Sequence, residues 1–354
     1  MSTDAQTAAA QVAAGPVRGP GTLGAAVAYA KWPLRALDRR ILRLDESAVS
    51  QTAGGIRVRR GLGLLIGAYA AVYEAQTALH GSFVSPVALV MGMVAVAIYM
   101  NRGGRFLRDW GPVVIGILAY GLTVGAVPRL GMQVHYMPQI DADRIIGLGT
   151  LPTTWLQEHL YHGTTGPLEV FSVAMYLSHF LIPLVLAFLL WAAWNGRGFH
   201  DLLFGLLAVS ILGDITFLLI PTAPPWLAAQ HGLIPAVDPI IKNGLYDLHL
   251  GTLAARKGDP HVYNVVAAVP SLHVAWPVIC LLVIRKHGLP RWLLASQFAL
   301  GLGIVFAVVY TGEHYLIDGV VGVVYAFAAW WLVQRVFGMA KRSQPTPQLS
   351  AAGR

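Results

Sequence analysis

The chain has 354 residues, 56% of them hydrophobic and only 12% charged, with a mean hydropathy of +0.59, a balance that excludes an ordinary soluble globular protein. The formal net charge of +8 is spread over short segments between apolar runs, which excludes nucleic-acid binding as its origin. The single cysteine, Cys280, excludes a disulfide framework and a thiolate metal site, and its place in an apolar run makes it a small buried hydrophobe. The fold class that remains is all-α, a polytopic bundle of membrane helices.

In chain order, residues 1–30 are rich in Ala, Gly and Thr, with no aromatic residue before Tyr29, and are expected to form a disordered tail. They lack a charged start followed by an apolar core, so no signal peptide is expected. Residues 31–60 form a basic segment in which Leu34, Leu37, Ile41 and Leu44 recur at helical spacing while Arg35, Arg39, Arg40 and Arg43 fill much of the remaining surface. This pattern suits a cytoplasmic helix bound to anionic lipid; it also suits a juxtamembrane helix packed on the bundle.

Apolar stretches predict eight spans, at about 62–80, 83–100, 112–130, 168–194, 202–220, 270–286, 292–310 and 315–335. The first three make an N-terminal transmembrane part over 61–130, and residues 337–354 are expected to form a second tail. With the N-terminus in the cytoplasm, 20 of the 25 Lys and Arg residues fall on the cytoplasmic side, leaving only Arg129, Arg144, Lys242, Arg256 and Lys257 outside. Both termini are then cytoplasmic. Two outward segments exceed simple turns: 131–167, with an interfacial helix expected around Trp155, Leu156, His159 and Leu160, and 221–268, long enough to cover a site.

Chemistry gathers at two helix mouths. In Val-Pro-Ser-Leu-His-Val-Ala-Trp (269–276), Ser271 is placed to cap a helix whose free amides favour an anion, with His273 in the first turn. In Thr-Gly-Glu-His-Tyr-Leu-Ile-Asp-Gly (311–319), His314 and Asp318 stand four apart at the start of the last span. On one helical face, the carboxylate would bond one ring nitrogen and free the other as a base or nucleophile. An isolated interfacial histidine is ordinarily structural; three such groups at matching depth beside an anion-favouring helix start point to an active site.

PSLH at 270–273 and HYLID at 314–318 resemble the second and third signatures of the type 2 phosphatidic acid phosphatase superfamily. PTAPPW at 221–226 and YTGEHYLID at 310–318 resemble its inositol phosphorylceramide synthase branch, with sphingomyelin synthases as relatives. The resemblance covers roughly 135–335. It implies a six-helix phosphatase-like core and a catalytic domain over 131–336. It further implies that His314 attacks phosphorus to form a phosphohistidine, that Asp318 orients its ring, and that His273 acts as acid and then base. Membrane phospholipid would be the donor, phosphoinositol the headgroup, and a lipid or sugar hydroxyl the acceptor; water as acceptor would make the enzyme a lipid phosphate phosphatase. No cofactor or metal is required.

The chain departs from the phosphatase pattern where phosphate-holding cations belong. No Lys-x6-Arg-Pro signature precedes PSLH, and Ala307 and Val308 replace a Ser-Arg pair. Substitutes for binding phosphate are the helix start at Ser271 and Lys242, Arg256, Lys257 or Arg144; at least one is expected to be functional, although each cation taken alone reads better as an ordinary solvated loop charge. Glu313 is expected to contact the acceptor, and Asp214 to support the PTAPPW turn or serve structure alone. His179 and Glu74 read as interhelical hydrogen-bonding residues. A transporter would also account for eight helices and buried charge, but two related halves with broken spans are not apparent.

Overall fold

The computed structural model describes residues 52–79, 86–193, 196–248, 250 and 264–342, so the basic stretch before residue 52, Arg256, Lys257, the first predicted tail and residues 343–354 of the second lie outside the described residues, while 337–342, expected as the start of that second tail, continue the last helix. Twelve helices occur among the described residues. They are α1 (Ala53–Leu79), α2 (Pro86–Tyr99), α3 (Gly103–Leu130), α4 (Met137–Ile146), α5 (Pro152–Leu160), α6 (Pro167–Ala192), α7 (Gly196–Leu219), α8 (Pro225–Gln230), α9 (Ile240–Asp247), α10 (Leu272–Lys286), α11 (Arg291–Tyr310) and α12 (Leu316–Arg342).

The chain divides into two compact units. In the smaller, which takes in α1 up to Ala68 and Val94–Gly111, Gly63 meets the carbonyl of Ala95, and the Arg60 guanidinium lies 5.5 Å from the centre of the Tyr99 ring. The larger unit holds both motifs. Within it α10 is central, packing against α6, α7, α11 and α12, while α5 rests on α11 and α4 on α12.

Four helices are long and apolar enough to cross a membrane among the described residues: α6, α7, α11 and α12 over Leu316–Val336. The predicted span 270–286 is shorter as a helix. Pro270 and Ser271 remain outside α10, whose 15 residues rise only about 22 Å against the roughly 30 Å of a bilayer core. α10 is therefore shorter than the four helices packed around it.

The two long connecting segments, 131–167 and 221–268, carry structure over their described residues. The helix expected around Trp155 is α5, with Trp155 exposed and its ring stacked 4.3 Å from that of His159. Thr222 of the PTAPPW stretch pairs in parallel with both His135 and Ala267. Its amide donates to the Val266 carbonyl at 2.8 Å, and its hydroxyl accepts from the Val269 amide at 2.8 Å. Gln157 of α5 clamps two loops, donating to the carbonyls of Tyr310 at 2.9 Å and Asp238 at 3.2 Å while accepting from the Asp238 amide. A core of Ile140, Leu151, Ala228, Ile234, Val237 and Tyr315 seals these outer helices over the start of α12.

Candidate active site

The two motifs, some forty residues apart in sequence, are joined through the backbone. The Ser271 amide donates to the Asp318 carbonyl at 3.0 Å. This contact requires Gly322, because a Cβ there would collide with the Ser271 carbonyl oxygen. Gly312, at φ +76°, makes the turn into the second motif with Val237 packed against it.

His314 is not on the helix. Residues 311–315 precede α12 as turn and extended chain, so the i,i+4 geometry expected for a helical His-x3-Asp pair does not apply. Its Nδ1 lies 2.9 Å from the Ala268 carbonyl and a longer 3.4 Å from Asp318 Oδ2. A carbonyl oxygen only accepts, so Nδ1 carries the proton and Nε2 presents its lone pair. The backbone of the first motif thus selects the tautomer of the second motif's histidine, and the carboxylate stands behind it as a supporting charge. Asp318 is fully buried; Oδ2 also accepts from the Tyr315 amide at 2.8 Å, and Oδ1 has no hydrogen-bond partner among the described residues.

The lone pair of His314 Nε2 points at His273, whose Nδ1 is 3.0 Å away. His314 is buried and His273 half-buried, so the pair opens on one side only. With Nε2 as acceptor, His273 Nδ1 is the donor, and a proton already lies between the proposed acid and the proposed nucleophile. Ser271 occupies the N-cap position of α10 as expected, but its buried hydroxyl makes no capping bond and has no partner among the described residues. Its amide, a separate group, makes the bond to the Asp318 carbonyl that joins the motifs.

Three side chains to which the sequence assigns no catalytic part bear on the site. His179, which reads as structural, lies against His273 with ring centroids 3.9 Å apart and planes tilted by 49°, and its Nδ1 donates to the Tyr176 carbonyl at 2.5 Å. Tyr176 faces the same His273 ring at 4.6 Å. Asp143, which sequence reasoning missed, is fully buried and accepts the Ile317 and Leu316 amides at 2.8 Å each, capping α12 from a distant helix. Burial raises its pKa, with the two amide bonds opposing the shift. No local signal marks it, because α4 buries Gln139, Ile140 and Asp143 together and so has no clean apolar stripe for an acid to interrupt.

The other predicted binding residues are less gathered. Glu313 is buried next to His314 in sequence. Asp214 lies in α7 one residue from Gly213, which touches Leu272, and its Oδ1 has no hydrogen-bond partner among the described residues. Lys242 is half-buried on α9 and makes no ion pair among the described residues. Arg144 is exposed on α4, 3.9 Å from Asp141. Neither cation is bonded to the histidine pair.

The PAP2 superfamily profile matches residues 140–332. Among curated proteins, the phosphoinositol dihydroceramide synthase of Bacteroides thetaiotaomicron is 28% identical over 177 residues, 49% of this chain and 57% of that protein, so the match spans little more than half the relative's length. No solved structure matches the chain. The family profile takes in α5 to α11 whole, together with both histidines, Asp318 and most of α4 and α12, and on that match the chain belongs to the PAP2 superfamily.

Proposed function

We propose that the protein is an integral membrane phosphotransferase that moves a phosphoinositol headgroup from a phospholipid donor to a lipid hydroxyl acceptor. One observation carries the chemistry: His314 is held with Nδ1 protonated against the Ala268 carbonyl and Nε2 facing His273. In the first step the hydrogen bond from His273 Nδ1 to His314 Nε2 opens, the freed Nε2 lone pair attacks phosphorus, and the bond from phosphorus to the diacylglycerol oxygen breaks. His273, entering as the imidazolium, gives that oxygen its proton. In the second step the acceptor hydroxyl loses its proton to His273 and attacks the phosphohistidine, and His314 leaves as neutral imidazole. Asp318 offsets the positive charge His314 carries while bonded to phosphorus. The start of α10, with its free amides, receives the phosphate oxygens, and Lys242 and Arg144 are the described outer-face cations available to add charge.

The relative's name supports phosphoinositol as the headgroup, and the replacement of the phosphatase family's Ser-Arg pair by Ala307 and Val308 supports transfer over hydrolysis. The basic-residue distribution supports eight crossings, cytoplasmic termini and an extracytoplasmic site. The test is to incubate purified protein with inositol-labelled phosphatidylinositol, with and without dihydroceramide. A labelled lipid product that appears only with acceptor supports the proposal. Release of inositol phosphate or inorganic phosphate at the same rate with or without acceptor makes the protein a hydrolase and overturns it.

A further inference from the structure

At the end of α10 farthest from His273, the hairpin joining α10 to α11 frames a groove of about 560 Å³. Its walls are apolar, formed by Leu282, Leu294, Ala295 and Phe298, and its mouth carries Arg285 and Arg291. Both arginines are exposed, and neither guanidinium has an ion pair or side-chain hydrogen bond among the described residues. Their neighbour Lys286 is already committed, 2.6 Å from Asp201 Oδ2, with His287 on the same oxygen at 2.7 Å. Two positive charges at the lip of an apolar groove are thus left without a protein counter-ion. Trp292, 69% exposed beside Arg291, is the kind of side chain that settles at the depth of lipid headgroups.

We propose that this groove is a binding site for an anionic phospholipid, separate from the reacting centre at the opposite end of α10. One acyl chain lies against Leu282, Leu294 and Phe298, and the headgroup phosphate is held between Arg285 and Arg291. Guanidinium forks match phosphate geometry, and the groove walls supply the apolar contact that a free inorganic ion could not use. A zwitterionic lipid fits the same walls, but its own cation weakens the attraction to the arginines, so the site discriminates by net headgroup charge.

Native mass spectrometry of the full chain in mixed micelles tests this, with phosphatidylglycerol and phosphatidylcholine of identical acyl chains. The wild type is expected to retain phosphatidylglycerol several-fold better than phosphatidylcholine. R285Q/R291Q is expected to bring that ratio close to one, and R285K/R291K to keep most of it. Filling the groove with Ala295→Trp is expected to lower phosphatidylglycerol retention while both arginines remain. Thermal melts confirm that each variant is folded, and R291Q alone, at the exposed first residue of α11, serves if the double variant is not. An unchanged ratio in the glutamine variant, or unchanged retention in A295W, overturns the proposal. Because these variants lie away from both histidines, headgroup transfer should persist in all of them, which separates this test from that of the reaction.

Discussion

Replacing Asp318 with Asn separates two ways a carboxylate can serve a histidine. If Asp318 chose the tautomer of His314, its loss would turn Nε2 into a donor and cost about 10⁴ in rate, as in triads where the acid alone orients the ring. Here the Ala268 carbonyl sits closer to Nδ1 than the carboxylate does, 2.9 Å against 3.4 Å, so the tautomer survives the substitution. What disappears is one charge-assisted interaction with the positively charged ring, worth about 1.5–3 kcal/mol. At about 1.36 kcal/mol per decade this predicts a fall in kcat of about 10- to 150-fold. Asn keeps an oxygen for the Tyr315 amide and places its NH₂ where Oδ1 has no partner among the described residues. The assay is the initial rate of headgroup transfer from inositol-labelled phosphatidylinositol at saturating acceptor, alongside a thermal melt. A loss of 10⁴ or more in a folded variant would refute tautomer control by Ala268, and a loss below about threefold would refute any electrostatic part for Asp318.

Four further outcomes follow from the same geometry. Because the reaction needs one extra proton shared by the two histidines, kcat/KM should be bell-shaped in pH, and His273→Gln should remove the alkaline limb along with most of the rate; an unaltered bell would overturn His273 as the acid. His179→Ala should lower kcat by about 10- to 100-fold with little change in KM, since it removes the surface that fixes the His273 ring; a pure KM effect would instead place His179 in substrate binding. Gly322→Ala should destabilise the protein by about 1–3 kcal/mol, seen as a lowered melting temperature, because its Cβ strikes the Ser271 carbonyl. The folded-state pKa of Asp143 is raised, so its contribution to stability is fully present below the unfolded carboxylate range and is lost as pH rises through the folded value. The melting temperature of wild type relative to D143N should therefore decline as pH rises through that interval, and a constant difference would refute the assignment.

Much of the site was legible because the residues that carry it are polar in segments that are otherwise apolar. His273, His314 and Asp318 stood out on that ground alone, and the structure brings them together. What the sequence concealed lies in backbone and in distance. The Ala268 carbonyl that orients His314 has no side-chain signature. Asp143 acts 173 residues away from the amide of Leu316, and no local pattern announces such a pairing. Local rules make Ser271 a conventional cap because they see only its own helix, and neither the unmade bond of its hydroxyl nor the bond of its amide to Asp318 is visible to them. A lone histidine in a span reads as structural, and only the approach of α6 to α10 sets His179 against the His273 ring. The span 270–286 was read as a full crossing because apolar composition does not reveal that Pro270 and Ser271 stay outside the helix.

The bond between the Ser271 amide and the Asp318 carbonyl bears on how such enzymes diversify. Acid and nucleophile are registered by a peptide-to-peptide contact and a glycine, while the flanking segments reach the centre through two anchors, Asp143 on the first amides of α12 and Thr222 on residues 266–269. The reaction centre is then a module that tolerates new loops wherever these two anchors are kept. Exchanging 131–167 or 221–263 between relatives with Asp143 and Thr222 retained should therefore change which headgroup and which hydroxyl are accepted while leaving the phosphorus chemistry in place.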